Sequence, residues 1–241
     1  MACWGAACWA ADASGKEPAD AWTQATSLTR IARKDPARVP DALAAWDALI
    51  RASGKDRKQL PRARRGRAGV LRAAGRWKEA LAEHDRIVEG RARRRDRARA
   101  LFDGARLLQR MEQPKAAIPR LARLREDYGD EVRLCAQAAL LQGELLVSVG
   151  SVRKGERAFR FVVEKCRDED KQVILAYDQL ALLELARGRR KAAQRWLERC
   201  RKRYEKRAAR DDRKGRFLAR QLGAMKAPVA AARSPRAEDG A

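Results

Sequence analysis

Apolar and small residues recur along this chain at helical spacing, in pairs of segments separated by short polar turns. The clearest stretch runs from Ala68 through Val70 and Leu71 to Gly75, then resumes at Trp77 with Ala80, His84 and Ile87. The first part reads as the end of one helix. Gly75 reads as its left-handed stop, and the second part opens a new helix. The same grammar returns around Pro114–Leu124, Gly150–Val162 and Gly188–Cys200, with a weaker copy at Val39–Leu49.

The small positions are Ala42, Ala80, Ala117, Gly155 and Ala193, spaced 38, 37, 38 and 38 residues apart. Each is followed four residues later by a large or ring-bearing residue: Trp46, His84, Leu121, Phe159 and Leu197. Each has a third residue suited to burial at the seventh place: Leu49, Ile87, Leu124, Val162 and Cys200. Spacing of i, i+4 and i+7 places all three on one helix face. Two antiparallel helices joined by a three-residue turn approach closely only where one offers a methyl group or less. One such hairpin cannot bury its own apolar face, so it must stack on its neighbours.

This pattern resembles the tetratricopeptide repeat: a bulky residue and a Leu-small pair in the first helix, glycine at the turn, and alanine with an aromatic four residues on in the second. The fifth copy matches best, through Tyr177, Leu180, Ala181, Gly188, Ala193 and Leu197. The fourth offers Ala139, Gly143, Leu146, Gly150 and Gly155, and the third Leu101, Ala105, Leu108 and Ala117. The resemblance covers about residues 20 to 206. The period exceeds the family's usual length of about 34 residues. The first copy, with Trp22, Ala25, Leu28 and Ala32, has helical spacing without the motif, and Pro119 falls inside a second helix where it removes one backbone bond.

The expectation is an all-α solenoid of about five such hairpins over residues 18–226. Phe217, Leu218, Leu222 and Met225 lie on one face of a C-terminal capping helix. Residues 227–241, rich in Ala, Pro, Ser and Gly, read as a disordered tail. Residues 1–17 read as a disordered tail or the remnant of a signal peptide, with Ala11-Asp12-Ala13 as a small-x-small site but no basic start. An exported, bacterial envelope location and a cytoplasmic one therefore both stand. No stretch reaches the length of a membrane span.

Charge changes the picture of partners more than of fold. The formal net charge is +24, from 56 basic and 32 acidic residues, and arginines outnumber lysines 42 to 14. Such a field attracts acidic surfaces and polyanions, although a GC-rich coding sequence produces the same arginine bias whatever the function. Arginines cluster at 62–67, at 91–99 and from Arg199 to Arg220, the last with eleven basic and three acidic residues. They read either as binding surface or as solvated helix faces.

Candidate chemistry is sparse. His84 is the one histidine and takes an interior position of its repeat, so a packed role is expected of it. The five cysteines include no Cys-x-x-Cys, which leaves no zinc site, and no phosphate loop or nucleophile constellation appears. No catalytic residue, cofactor or metal is expected. Cys135 and Cys166 bracket the fourth hairpin at neighbouring ends, within reach of a disulfide, while two buried free thiols are the simpler reading.

The resemblance supplies a binding surface. In the family, first helices line a groove that holds an extended peptide. Carried over by position, the groove residues are Arg65 and Arg72 in the second repeat and Arg106 and Arg110 in the third. Glu144, Ser148, Asp178 and Leu182 take those places in the fourth and fifth. The function implied is a non-catalytic scaffold for protein or peptide partners, with a basic first half that suits an acidic or C-terminal segment. The alternative is a basic helical-repeat protein associated with nucleic acid, which the charge favours and the scarcity of aromatics opposes.

Overall fold

The computed structural model describes residues 19–225, so the two terminal segments read above as tails, with Cys3 and Cys8, lie outside the described residues. The described residues form two compact units, divided between Met111 and Glu112.

The first unit holds α1 (Ala19–Ala32), α2 (Val39–Ser53), α3 (Gln59–Ala73), α4 (Trp77–Glu89) and α5 (Arg94–Arg110), with a 3-10 turn at Pro36–Arg38. Each helix packs on the next in chain order, and α1 also meets α3. The second unit holds α6 (Pro114–Asp127), α7 (Val132–Ser148), α8 (Val152–Lys165), α9 (Asp170–Ala186), α10 (Arg190–Ala208) and α11 (Arg213–Ala224). Packing again follows chain order, with α7 on α9 and α11 on both α9 and α10.

The small residues of the period all fall in second helices: Ala42 in α2, Ala80 in α4, Ala117 in α6, Gly155 in α8 and Ala193 in α10. The four alanines are wholly buried, as are Leu121, Phe159, Leu124, Val162 and Cys200. Close approach is visible at Gly155, where a methyl group would lie 2.7 Å from Val147 and 2.9 Å from the Gly143 carbonyl oxygen. The rings at the fourth place make a matching demand. Trp46 lies against Gly66 of α3, and Phe159 covers Gly143 of α7 so closely that neither glycine leaves room for a side chain.

Three hairpin turns close in one way. Gly75, Gly150 and Gly188 take φ of 74°, 79° and 74°. The next amide reaches back to the helix it has just left: Arg76 to the Leu71 carbonyl at 2.9 Å, Ser151 to Leu146 at 2.7 Å, Arg189 to Glu184 at 2.8 Å. This satisfies carbonyls that the helix end leaves without partners. In the turn between α5 and α6 the equivalent place belongs to Glu112, at φ 57°.

The core of the first unit gathers Ala25, Ala42, Trp46, Ala63, Leu71 and Ala80. Trp46 also donates its indole N–H to Thr29 at 2.8 Å and meets Trp22 edge-on at 5.8 Å. Helix α1 is thereby tied in despite lacking the repeat motif. The second unit's core runs from Ala136 to Leu218 of the capping helix and Met225 just past its end, with Phe217 and Leu222 packed against it. Asp170, at the start of α9, accepts two bonds from Arg207 at 2.9 and 2.6 Å and faces Lys214 at 3.1 Å. One carboxylate thus holds the end of α10 and the beginning of α11 together. Among the described residues no helix is long and apolar enough to cross a membrane.

Candidate functional site

In the first unit, α3, α4 and α5 enclose a cavity of about 190 Å³. Arg65, Arg72, Arg106 and Arg110 all line it, joined by Arg99 and Asp103. Positions 99, 103, 106 and 110 share one face of α5, and 65, 69 and 72 share one face of α3. Ala68 and Gly69 form a low floor between the α3 arginines, and a methyl group added at Gly69 would meet nothing within 4 Å. His84 forms part of the wall, 6% exposed, so the interior position read from the period is also the side of this cavity.

The arginines are not equivalent. Arg65 approaches the buried Asp96 at 3.2 Å, and Arg93 holds the same carboxylate at 2.8 Å. Arg99 is paired with Asp103 at 3.0 Å. Among the described residues, no carboxylate lies within 4.0 Å of Arg72, Arg106 or Arg110, all exposed. Three guanidinium groups without a carboxylate partner therefore border one recess while its acidic residue, Asp103, is already engaged.

The other arginine clusters mostly serve the fold. Glu83 of α4 is 1% exposed, and its carboxylate is shared by Arg64 at 3.1 Å, Arg67 at 3.1 Å and Arg86. Arg67 also reaches Asp47 at 2.7 Å, and Arg62 lies over Trp22 at 4.3 Å. The run from Arg62 to Arg67 is thus spent inside the unit, which a linear reading could not reveal because every partner lies at least 16 positions away. In the second unit Arg125 donates to Gln142 at 2.6 Å and stacks on Phe161 at 4.2 Å.

The positions equivalent to the groove in the second unit carry Glu144, Ser148 and Leu182, which are exposed, and Asp178, which is partly buried. Burial pushes the Asp178 carboxyl above its usual range, and one of its oxygens is shielded from solvent without a hydrogen-bond partner. Cys135, Cys166 and Cys200 are buried free thiols. Cys135 donates to the Tyr128 carbonyl at 3.2 Å. Burial pushes the Cys166 thiol up to about 11 and that of Cys200 up to about 12. These are poor nucleophiles, since the thiolate is the reactive form. Among the described residues no group of His, Cys, Asp and Glu is arranged to hold a metal ion.

Small anchors in every second helix, rings laid on glycines and left-handed turns define a repeat of helical hairpins. The chain has the tetratricopeptide-repeat fold, an all-α solenoid of about five hairpins closed by a C-terminal helix. It is similar to the putative kinesin light chain TPR-like repeats of Podosopora anserina, with a TM-score of 0.58 and 17% identity over 81% of this chain and 100% of that one. It is similar to MamA from Desulfovibrio magneticus RS-1, with a TM-score of 0.54 and 18% identity over 80% and 98% of the two chains. A third similar structure is YrrB, described as a TPR protein with an unusual peptide-binding site, at a TM-score of 0.52 and 18% identity over 90% and 100%. No family model and no curated protein matches the sequence.

Proposed function

We propose that this chain is a non-catalytic scaffold for protein partners, and that the basic cavity of its first unit takes an acidic side chain or chain terminus of a peptide. The carrying observation is the trio Arg72, Arg106 and Arg110, bordering one recess with no carboxylate among the described residues within 4.0 Å, its own Asp103 being paired with Arg99. Guanidinium forks pair with carboxylates through two parallel bonds, and the energy is largest where the partner is partly withdrawn from water. The recess is smaller than the roughly 300–1,000 Å³ of sites that enclose a whole small molecule. At about 190 Å³ it suits one projecting group of a longer ligand. The fold is shared with a protein described by its peptide-binding site, which supports the same class of partner.

Two variants test this by fluorescence anisotropy of labelled acidic peptides, one set ending in a free carboxylate and one amidated. Arg72→Glu with Arg106→Glu is expected to weaken capture at least about tenfold, as loss of a charge-assisted bidentate pair does. Gly69→Leu fills the recess without altering charge and is expected to weaken capture as well. If both variants bind the acidic peptides as the parent does, the cavity is not the binding site.

A further inference from the structure

Helix α10 carries a second feature, independent of the cavity and located in the other unit. Lys191, Arg195, Arg199, Lys202 and Lys206 succeed one another at intervals of four, four, three and four residues, and all five are exposed. At 3.6 residues per turn they fall within an arc of about 80°. With a rise of 1.5 Å per residue the row is about 22 Å long. Among the described residues, no carboxylate lies within 4.0 Å of any of the five. Within the row Arg195 reaches only the Lys191 carbonyl of its own helix, at 3.4 Å, and Arg199 lies over Trp196 at 5.2 Å. Two neighbouring arginines of α10 are instead tied to other segments of the unit. Arg203 donates to the carbonyls of Val163 and Arg167, and Arg207 is taken by Asp170. The row thus lies on a different arc of the helix from Arg203 and Arg207, and the exposed Glu198 and Glu205 flank its other edge without pairing with it.

We infer that this row binds the phosphate backbone of a duplex nucleic acid, without reading its sequence. A duplex carries one phosphate charge per about 1.7 Å of its axis with both strands counted, so a row of about 22 Å meets a dense anionic surface that can engage all five cations. A straight, regularly spaced line of cations on a rigid helix complements a charge array that is itself regular and stiff. Single strands are usually held by exposed aromatic rings as well. The one aromatic beside the row, Trp196, is partly buried against Tyr177 at 6.0 Å and lies between Arg160 and Arg199. Anionic membranes are usually gripped by helices that also insert apolar side chains. Among the described residues the exposed large apolar side chains are Ile31, Val132, Leu175 and Leu182, none of them on α10.

The experiment measures binding of a labelled duplex of about 20 base pairs between 50 and 200 mM salt, where five phosphate contacts give a slope near −4.5 and a loss of roughly 500-fold. Arg195→Gln, Arg199→Gln and Lys202→Gln together are expected to flatten that slope by about 2.7. Glutamine is a good helix former, so the helix persists. Arg30→Gln, Arg33→Gln and Lys34→Gln remove the same charge from exposed positions of the first unit and are expected to leave the slope near its parent value. Equal flattening by both triples would overturn the inference, because net charge alone would then explain binding. So would tighter binding, at equal salt, of phosphatidylglycerol-containing vesicles or of polyglutamate than of the duplex.

Discussion

Replacing Glu83 with Gln isolates what the arginine run of α3 does. The side chain of Glu83 is 2% exposed, and its two oxygens are divided among Arg64, Arg67 and Arg86. Glutamine keeps the volume and one acceptor but removes the negative charge, leaving three cations converging on a neutral amide. Deleting one partner of a buried ion pair costs about 3–5 kcal/mol when the remaining charge is trapped. Here the survivors have an outlet, since Arg64 and Arg67 are 22% and 20% exposed and Arg86 is 57% exposed. The cost therefore falls at or below the lower bound of that range, about 2–3 kcal/mol. For a unit of this size that corresponds to a fall in Tm of roughly 10–20 °C. Circular dichroism through a thermal ramp, with urea unfolding at pH 7 alongside, measures it. Glu79→Gln is the internal control: its pair with Arg76 at 2.6 and 2.7 Å has tighter geometry but stands in solvent, so no measurable shift is expected. If Glu83→Gln melts within a degree or two of the parent, as Glu79→Gln should, then burial does not determine the worth of these pairs and the structural role given to the run is wrong.

Glu112→Gly places the residue of the other hairpin turns at φ 57° and is expected to raise stability by about 0.5–1 kcal/mol in urea unfolding, because a side chain in the left-handed region is strained. Asp178→Asn is expected to raise Tm at pH 7. The sign follows from the raised carboxyl: the folded state binds its proton more tightly, so stability declines as pH climbs from the unfolded value toward the folded one, and the parent–variant difference should vanish in acid below 3.8. A thiol reagent at pH 8 should leave Cys135, Cys166 and Cys200 unmodified until denaturant is added; mass spectrometry of the native protein finding any of the three labelled would contradict their burial.

The hairpins were legible in the sequence because a helix that must touch another at close range repeats its small residue at a fixed interval, and no surface requirement blurs that interval. The rings at the fourth place were legible for the same reason. What they rest on was less so: Gly143 stands among the motif positions of the fourth copy, but Gly66 carries no such mark, and neither position says by itself that a phenylalanine or tryptophan lies above it. Glu112 could have been found, since it stands 37 residues after Gly75 and 38 before Gly150, in the place of a glycine. The four arginines assigned to a groove by resemblance do border one cavity. Their division into engaged and unengaged groups was beyond the sequence, because it depends on Asp96 of α5 reaching Arg65 of α3, 31 positions away. The run from Arg62 to Arg67 was ambiguous for a similar reason: charge is visible in a sequence, but its neutralisation is a fact of three dimensions.

The glycine beneath each ring bears on how such a chain can change over generations. At the fourth hairpin, Gly143, Gly155 and Phe159 are a single negotiated fit: the ring occupies the space that a side chain at Gly143 would need, and Gly155 stands where α8 touches α7. No one of the three can be exchanged for its counterpart in another hairpin without the others following. The second helices look like copies when aligned by their anchors, yet α2 carries its ring toward Gly66 of the next hairpin, whereas α8 carries its ring toward Gly143 of its own. The copies share a period but are individually keyed. A consensus hairpin grafted into the fourth place would inherit the period and fail at the lock.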